Sequence, residues 1–329
     1  MVPSPFSLLS YFEMCFPLFA KSPHLLLPFF ILLAGLLQDA RAVSMEKAAS
    51  SRENDNRVSI TLIPEVAHSA DADTIWIGVQ MDIEEGWHVY WQNPGDSGLP
   101  TTIRWEDHPF FHPGSIHWPR PNRFDEDGVT TYGYSEHVTL LVPVITSAES
   151  VNNIESRVKH QLEQDKIPSL NADINWLVCK DICIRESTSK SLDISVDGSF
   201  PDFSEKLLPK IQSAREQLPA PSDVWEANAT FDGNTFRVTL FSESDKAVRP
   251  DAEDLYFFPY YGGIIEHTAP QEITWSNDRL TISIKASRYL NARPEELSGV
   301  LVAGKSWIKN ADLRFLEIHF PVSPADDNQ

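Results

Sequence analysis

Val58-Ser-Ile-Thr-Leu-Ile63 and Thr74-Ile-Trp-Ile-Gly-Val-Gln-Met81 decide the fold class. They alternate or run apolar and are rich in branched and aromatic residues, which is the pattern of a half-buried or buried strand. Working outward, the same pattern recurs at Trp87–Trp91, Thr101–Trp105, Val138–Val144, Ile174–Val178 and Leu192–Val196. Turn chemistry separates these segments at Asn93-Pro-Gly-Asp-Ser-Gly98, His112-Pro-Gly114 and Asp125-Glu-Asp-Gly128. Short strands broken by turns predict an antiparallel sandwich, placed at 58–198.

Phe203–Leu218 breaks the rhythm. Phe203, Leu207, Leu208, Ile211, Ala214 and Leu218 fall at helical spacing, with Pro209 either starting or kinking the helix and Pro219-Ala-Pro221 ending it. This predicts a helical linker over 199–221. A second β pattern follows at Trp225–Phe231, Phe236–Phe241, Leu255–Phe258, Ile273–Trp275, Leu280–Ile284, Val300–Ala303 and Leu313–Phe320, without cysteine. The fold class expected is therefore all-β, with two sandwich domains (58–198 and 222–321) and a polar tail at 322–329. Phe257-Phe-Pro-Tyr-Tyr-Gly-Gly263 reads as core plus a β-turn, or as a docking patch if exposed.

The chain has 329 residues and a formal net charge of −20. An acidic surface repels phosphate backbones and argues against nucleic acid as a partner. His24–Leu37 is an apolar stretch between Lys21 and the small-x-small triplet Ala40-Arg-Ala42, the pattern of a cleaved export signal at 1–42 with Met14 as an alternative start. An uncleaved anchor is the competing reading. Residues 43–57 read as a flexible leader. Nothing after residue 42 approaches the roughly 20 continuous apolar residues of a membrane helix.

Cys179 and Cys183 are the only cysteines outside the first few dozen residues. An extended chain would hold their Cα atoms about 13 Å apart, whereas a disulfide needs roughly 4.4–6.8 Å. Either the chain turns sharply at Lys180-Asp181-Ile182, or the pair never bonds. A bond closing so short a loop removes little unfolded-chain entropy, which makes it a poor staple and a plausible redox switch. Two thiolates are too few for structural zinc, though they suit Cu(I). No zinc-protease motif, nucleotide loop or serine elbow is present.

Several segments resemble the N-terminal periplasmic domain of the DsbD family of thiol:disulfide interchange proteins. They are Glu85-Gly-Trp-His-Val-Tyr-Trp91, Phe124-Asp-Glu-Asp127 followed by Tyr132-Gly-Tyr-Ser-Glu136 and Leu140-Leu-Val-Pro-Val144, and Trp176-Leu-Val-Cys-Lys-Asp-Ile-Cys-Ile184. With Asn93–Pro100, the spacing is most similar to the copper-stress branch typified by ScsB, here without membrane or thioredoxin-like parts. The resemblance implies immunoglobulin-like sandwiches, the first carrying a redox-active pair, and a periplasmic relay with no bound cofactor. Its donor is a thioredoxin-like, membrane-linked protein and its acceptor an oxidised periplasmic protein. Cys183 attacks and Cys179 resolves. His88 and Tyr90 line the site, and Asp125, Glu126 and Asp127 belong to an acidic cap loop that raises thiol pKa values or relays protons.

The chain departs from the family in its shorter cysteine spacing. It also carries Thr131 where the family's cap places an aromatic residue, with Tyr132 or Tyr134 as the substitutes. Lys180 favours a thiolate and Asp181 opposes it. The alternatives are a binding or chaperone-like module with a structural disulfide, and a Cu(I)-binding protein held by Cys179 and Cys183.

Overall fold

Alternating strands need partners on both edges, and the first ten find them in two facing sheets. The computed structural model describes residues 56–65, 74–108, 111–146, 169–193 and 205–325. The expected export signal at 1–42 and nearly all of the expected leader at 43–57 lie outside the described residues. One sheet contains β1 (Val58–Glu65), β2 (Thr74–Ile83), β8 (His137–Thr146) and β5 (Phe111–Pro113), in the order β1-β2-β8-β5. The other contains β3 (His88–Gly95), β4 (Thr102–Trp105), β6 (Asn122–Glu126), β7 (Val129–Ser135), β9 (Ser169–Cys179) and β10 (Cys183–Asp193). Its order is β10-β9-β3-β7-β6, with β4 also on β9. Ile60, Val79, Met81 and Leu140 from the first sheet meet Val89, Trp91, Ile174 and Trp176 from the second in one core.

Four strands were illegible in the sequence: β5, which falls on the expected His112-Pro-Gly114 turn, β6, β7 and most of β10. Asn122–Glu126 and Val129–Ser135 form a hairpin around Asp127-Gly128, both at positive φ (49° and 79°), which fits a two-residue turn matched to strand twist. β10 extends back to Cys183, well before the strand expected at Leu192–Val196. It is an edge strand whose Arg-Glu-Ser-Thr-Ser-Lys run shows no apolar alternation; pairing with β9 imposes the conformation. Its one buried acid, Glu186, accepts hydrogen bonds from the Trp176 indole (3.0 Å) and the Arg57 amide (2.7 Å). Those bonds satisfy a carboxylate that would otherwise be costly to bury.

The expected helix is α1 (Leu208–Glu216), with Pro209 in its first turn, where a missing N–H costs nothing. It packs Ile211 and Ala214 against Ile63 and Leu141 on the outer face of the first sheet.

The second β pattern yields β11 (Glu226–Phe231), β12 (Thr235–Phe241), β13 (Tyr256–Pro259), β14 (Glu272–Ser276), β15 (Arg279–Lys285), β16 (Glu296–Val302) and β17 (Phe315–Pro324). They form one hydrogen-bonded path, β13-β16-β17-β11-β12-β15-β14, around a core that includes Phe236, Ile282, Leu297 and Trp307. The tail expected from residue 322 is a correction. Val322–Pro324 continue β17 and pair in parallel with β11.

The two β regions share apolar contacts. Phe258, Val300 and Phe315 belong to the core of the first. Trp91 packs edge-on to Phe258 and against Tyr260, and Asn93 Nδ2 donates to Pro259 O at 2.8 Å. The Tyr132 hydroxyl lies 2.9 Å from that of Tyr256 and 3.0 Å from His267 Nδ1. Among the described residues, no helix is long and apolar enough to cross a membrane.

Candidate functional site

The hairpin β9–β10 brings the cysteines together. Cys179 and Cys183 are cross-strand partners at its closed end, and Lys180-Asp181-Ile182 make the turn, with Lys180 N donating to Ile182 O at 3.1 Å. Their sulfurs are bonded, with Cα atoms 4.1 Å apart. The open question of the sequence, whether the chain turns sharply enough to bond, is answered by strand pairing. The two ends of the bond differ: Cys179 is buried and Cys183 is exposed.

The neighbouring strand β3 supplies the next layer. His88 stands opposite Cys179 in the ladder, and Tyr90 places its hydroxyl 3.8 Å from Cys183 Sγ. Alternation along β3 sends one set of its side chains to the core and the other to the surface or a neighbouring loop. In the structure His88, Val89, Tyr90 and Trp91 are all buried, because the outer set is covered as well. Phe124 from β6 stacks on His88 with centroids 5.0 Å apart, and His88 meets Tyr90 edge-on at 5.2 Å. Gly98, at φ 113°, lies against the Tyr90 ring so closely that a Cβ there would come within 2.3 Å of it. Only glycine fits this approach.

The loop carrying Gly98 is built from a large bulge in β3. Pairing with β7 runs from Tyr90↔Gly133 to Gly95↔Thr131, so residues 91–94 stand opposite Tyr132 alone. Asn93 Oδ1 accepts from the Gly95 amide, and Asp96 and Thr130 exchange hydrogen bonds of 2.8 and 2.9 Å. These bonds hold the loop over Tyr90.

The acidic segment divides by role. Asp125 is engaged within its own hairpin, accepting from Thr130 Oγ1 at 2.6 Å and pairing with Arg123. Glu126 and Asp127 are exposed, and the field of Glu126 reaches both His88 and Tyr90. Burial holds the His88 pKa below its ordinary value, with Glu126 opposing, and burial followed by Glu126 raises that of Tyr90. At neutral pH, His88 is therefore an uncharged imidazole and Tyr90 a protonated phenol able to donate toward sulfur.

Tyr132 and Tyr134, offered as cap substitutes, lie elsewhere. Tyr132 is fully buried on Tyr256, Phe258 and His267, and Tyr134 donates to Pro119 O at 2.7 Å. β7 pairing sends both side chains inward. The aromatic residue over the His88 side of the site is Phe124; its only sequence signal was its position directly before the acidic run. The Lys180 ammonium lies over the Gly86 turn, 2.9 Å from where a Cβ on that glycine would stand. In the second β region, Phe257 and Phe258 are core and Tyr261 is exposed. Among the described residues, no group of three or more His, Cys, Asp or Glu side chains is arranged to hold a metal.

Buried, uncharged histidines make stability depend on pH. Burial lowers the pKa of His88 and of His267, whose Nε2 atoms have no partner among the described residues. The unfolded chain binds protons near pH 6.5, the folded chain only below that. Stability is thus fully present above about pH 6.5 and lost as pH falls, by up to about 1.4 kcal/mol per pH unit for each group. His108 acts in the same direction. His319 opposes it, because its hydrogen bonds with Glu317 and Glu296 outweigh the effect of burial. Urea midpoints at pH 7.5 and 5.5 should therefore differ, with the lower at pH 5.5; equal midpoints would contradict the assignment.

Residues 61–194 match the family described as thiol:disulfide interchange protein DsbD, N-terminal. The fold is similar to the crystal structure of the N-terminal periplasmic domain of ScsB from Proteus mirabilis, with a TM-score of 0.57 at 18% identity, covering 83% of this chain and 96% of that one. No curated protein matches the chain.

Proposed function

From a DsbD N-terminal-like domain at residues 61–194, we propose that this chain is a periplasmic thiol:disulfide relay that passes reducing equivalents to oxidised partner proteins. One observation carries the proposal: the Cys179–Cys183 bond joins a buried sulfur to an exposed one, with the Tyr90 hydroxyl 3.8 Å from the exposed sulfur. Structural disulfides gain nothing from this asymmetry, whereas exchange needs one accessible sulfur and one sheltered leaving group.

The cycle follows from that geometry. A donor thiolate attacks Cys183 Sγ, the Sγ–Sγ bond breaks, and Cys179 leaves as a thiolate within reach of protonation. The donor's second thiolate then attacks its own sulfur in the mixed disulfide, leaving the donor oxidised and this chain a dithiol. In the second half, the Cys183 thiolate attacks an acceptor disulfide. Cys179 then attacks Cys183, reforming the bond and releasing the acceptor as a dithiol. Two electrons pass in each half. Tyr90, protonated by virtue of its burial, supports whichever sulfur carries charge at position 183. Residues 58–198 hold this chemistry, and 222–321 buttress it through Trp91 and Asn93.

The experiment is the reduction potential of the pair, measured by thiol trapping in glutathione buffers. The expected value lies between about −300 and −120 mV, the range of exchanging dithiols. A value well below about −300 mV is that of a structural disulfide and would overturn the relay.

A further inference from the structure

Six large apolar side chains are exposed among the described residues, and three gather around the disulfide. Ile182, 64% exposed, is in the turn between the cysteines. Leu99, 50% exposed, follows Gly98, which rests on the ring of Tyr90. Val129, 41% exposed, is the cross-strand partner of Glu126, whose field reaches His88 and Tyr90. The cysteine turn, the loop resting on Tyr90 and the β6–β7 hairpin thus each present one exposed aliphatic residue on the segments that surround the Tyr90–Cys183 contact. Water-exposed aliphatics clustered at a reactive centre mark a contact surface.

The charges interleaved with them are mostly of one sign. Asp96, Glu126, Asp127 and Asp181 are exposed on the same segments, and Glu85 is exposed on the β2–β3 turn, next to the Gly86 that Lys180 covers. Against them stand Lys180, folded over Gly86, Arg123, paired with Asp125, and Arg185, two residues along β10 from Cys183.

Resting on the relay described above, we infer that the rim formed by Leu99, Val129 and Ile182, with Glu85, Asp127 and Asp181, selects its redox partner. The partner is a protein whose cysteine segment carries an aliphatic residue next to the cysteine and lysine or arginine flanking it. The aliphatic side chain covers the three apolar residues, and the basic flank meets the acids. Docking places the partner thiolate in line with Cys183 Sγ; attack there breaks the bond to Cys179, which departs with the electron pair.

The test uses reduced synthetic peptides as attacking thiols on the oxidised full-length chain. One peptide is Ac-Lys-Cys-Leu-Lys-amide; the others replace its lysines by glutamate, or its leucine by serine. Each second-order rate is divided by that peptide's rate with the uncharged bis(2-hydroxyethyl) disulfide, which removes differences in thiol pKa without adding a charge preference. It is divided again by the same chain's rate with reduced glutathione. The basic, leucine-bearing peptide should react about tenfold faster than the acidic one at low salt, with the gap closing in 0.5 M salt. The combined variant Glu85→Gln, Asp127→Asn, Asp181→Asn should remove that preference; asparagine tolerates the positive φ of position 127. Leu99→Ser with Ile182→Ser should remove the advantage of leucine over serine. Equal normalised rates for basic and acidic peptides, or preferences that survive these variants, would overturn the inference. A disulfide that reduced glutathione itself cannot open would instead overturn the relay.

Discussion

Cys183→Ser is expected to abolish exchange: with only the buried Cys179 left, its reaction with oxidised glutathione should be slower by roughly three orders of magnitude or more than that of Cys179→Ser, which should trap a mixed disulfide at Cys183. The asymmetry of exposure makes the two outcomes different. Serine at 183 removes the sulfur that an incoming thiolate can reach, and a hydroxyl is not ionised at neutral pH. The remaining Cys179 is buried behind β3 and the turn. Serine at 179 leaves the exposed sulfur able to form a mixed disulfide but removes the group that would resolve it. Both variants should remain folded, since opening a loop this short costs only about 2 kcal/mol. Incubation of each reduced variant with oxidised glutathione, followed by mass measurement, reads the adduct directly. An adduct on Cys183→Ser and none on Cys179→Ser would reverse the assigned roles.

Trp91→Ala should cost about 3–5 kcal/mol of stability, the largest loss expected from any single side chain near the site. Trp91 is fully buried, packs on Phe258 and Tyr260 across the two β regions, and opens the bulge that carries Asn93 and Gly98 over Tyr90. Its removal leaves a cavity where the two regions meet and frees the strand that positions the Tyr90 hydroxyl. Trp91→Phe supplies the contrast. The indole N–H is buried without a partner among the described residues, so phenylalanine keeps much of the apolar contact and deletes an unsatisfied donor. Its cost should stay below about 1.5 kcal/mol. Urea denaturation of the two variants separates these values, and equal losses would show that the ring's apolar volume is not what holds the region.

Composition and periodicity carried the fold class far. Every strand of the second β region was visible because each alternates or runs apolar, and α1 was visible because Ile211 and Ala214 recur at helical spacing. The family resemblance rested on the cysteine segment, on Glu85–Trp91, and on Phe124–Asp127 with Tyr132–Glu136 and Leu140–Val144, each a contiguous run and therefore readable in one dimension. β5, β6, β7 and the first half of β10 were not readable. They are short or mix polar and apolar residues without sustained alternation, and pairing with better-defined neighbours makes them strands.

By itself, then, the sequence determined an all-β chain with a helix between two β regions, and one close cysteine pair. Tertiary structure alone decided that the pair bonds, that Cys179 is sheltered while Cys183 faces solvent, and that Phe124 rather than Tyr132 or Tyr134 covers the site. The physical reason is distance along the chain. Spacing can place Cys179 four residues from Cys183, but only cross-strand register puts them face to face. Only a bulge spanning residues 91–94 turns Tyr132 toward His267 and sets Gly98 against Tyr90.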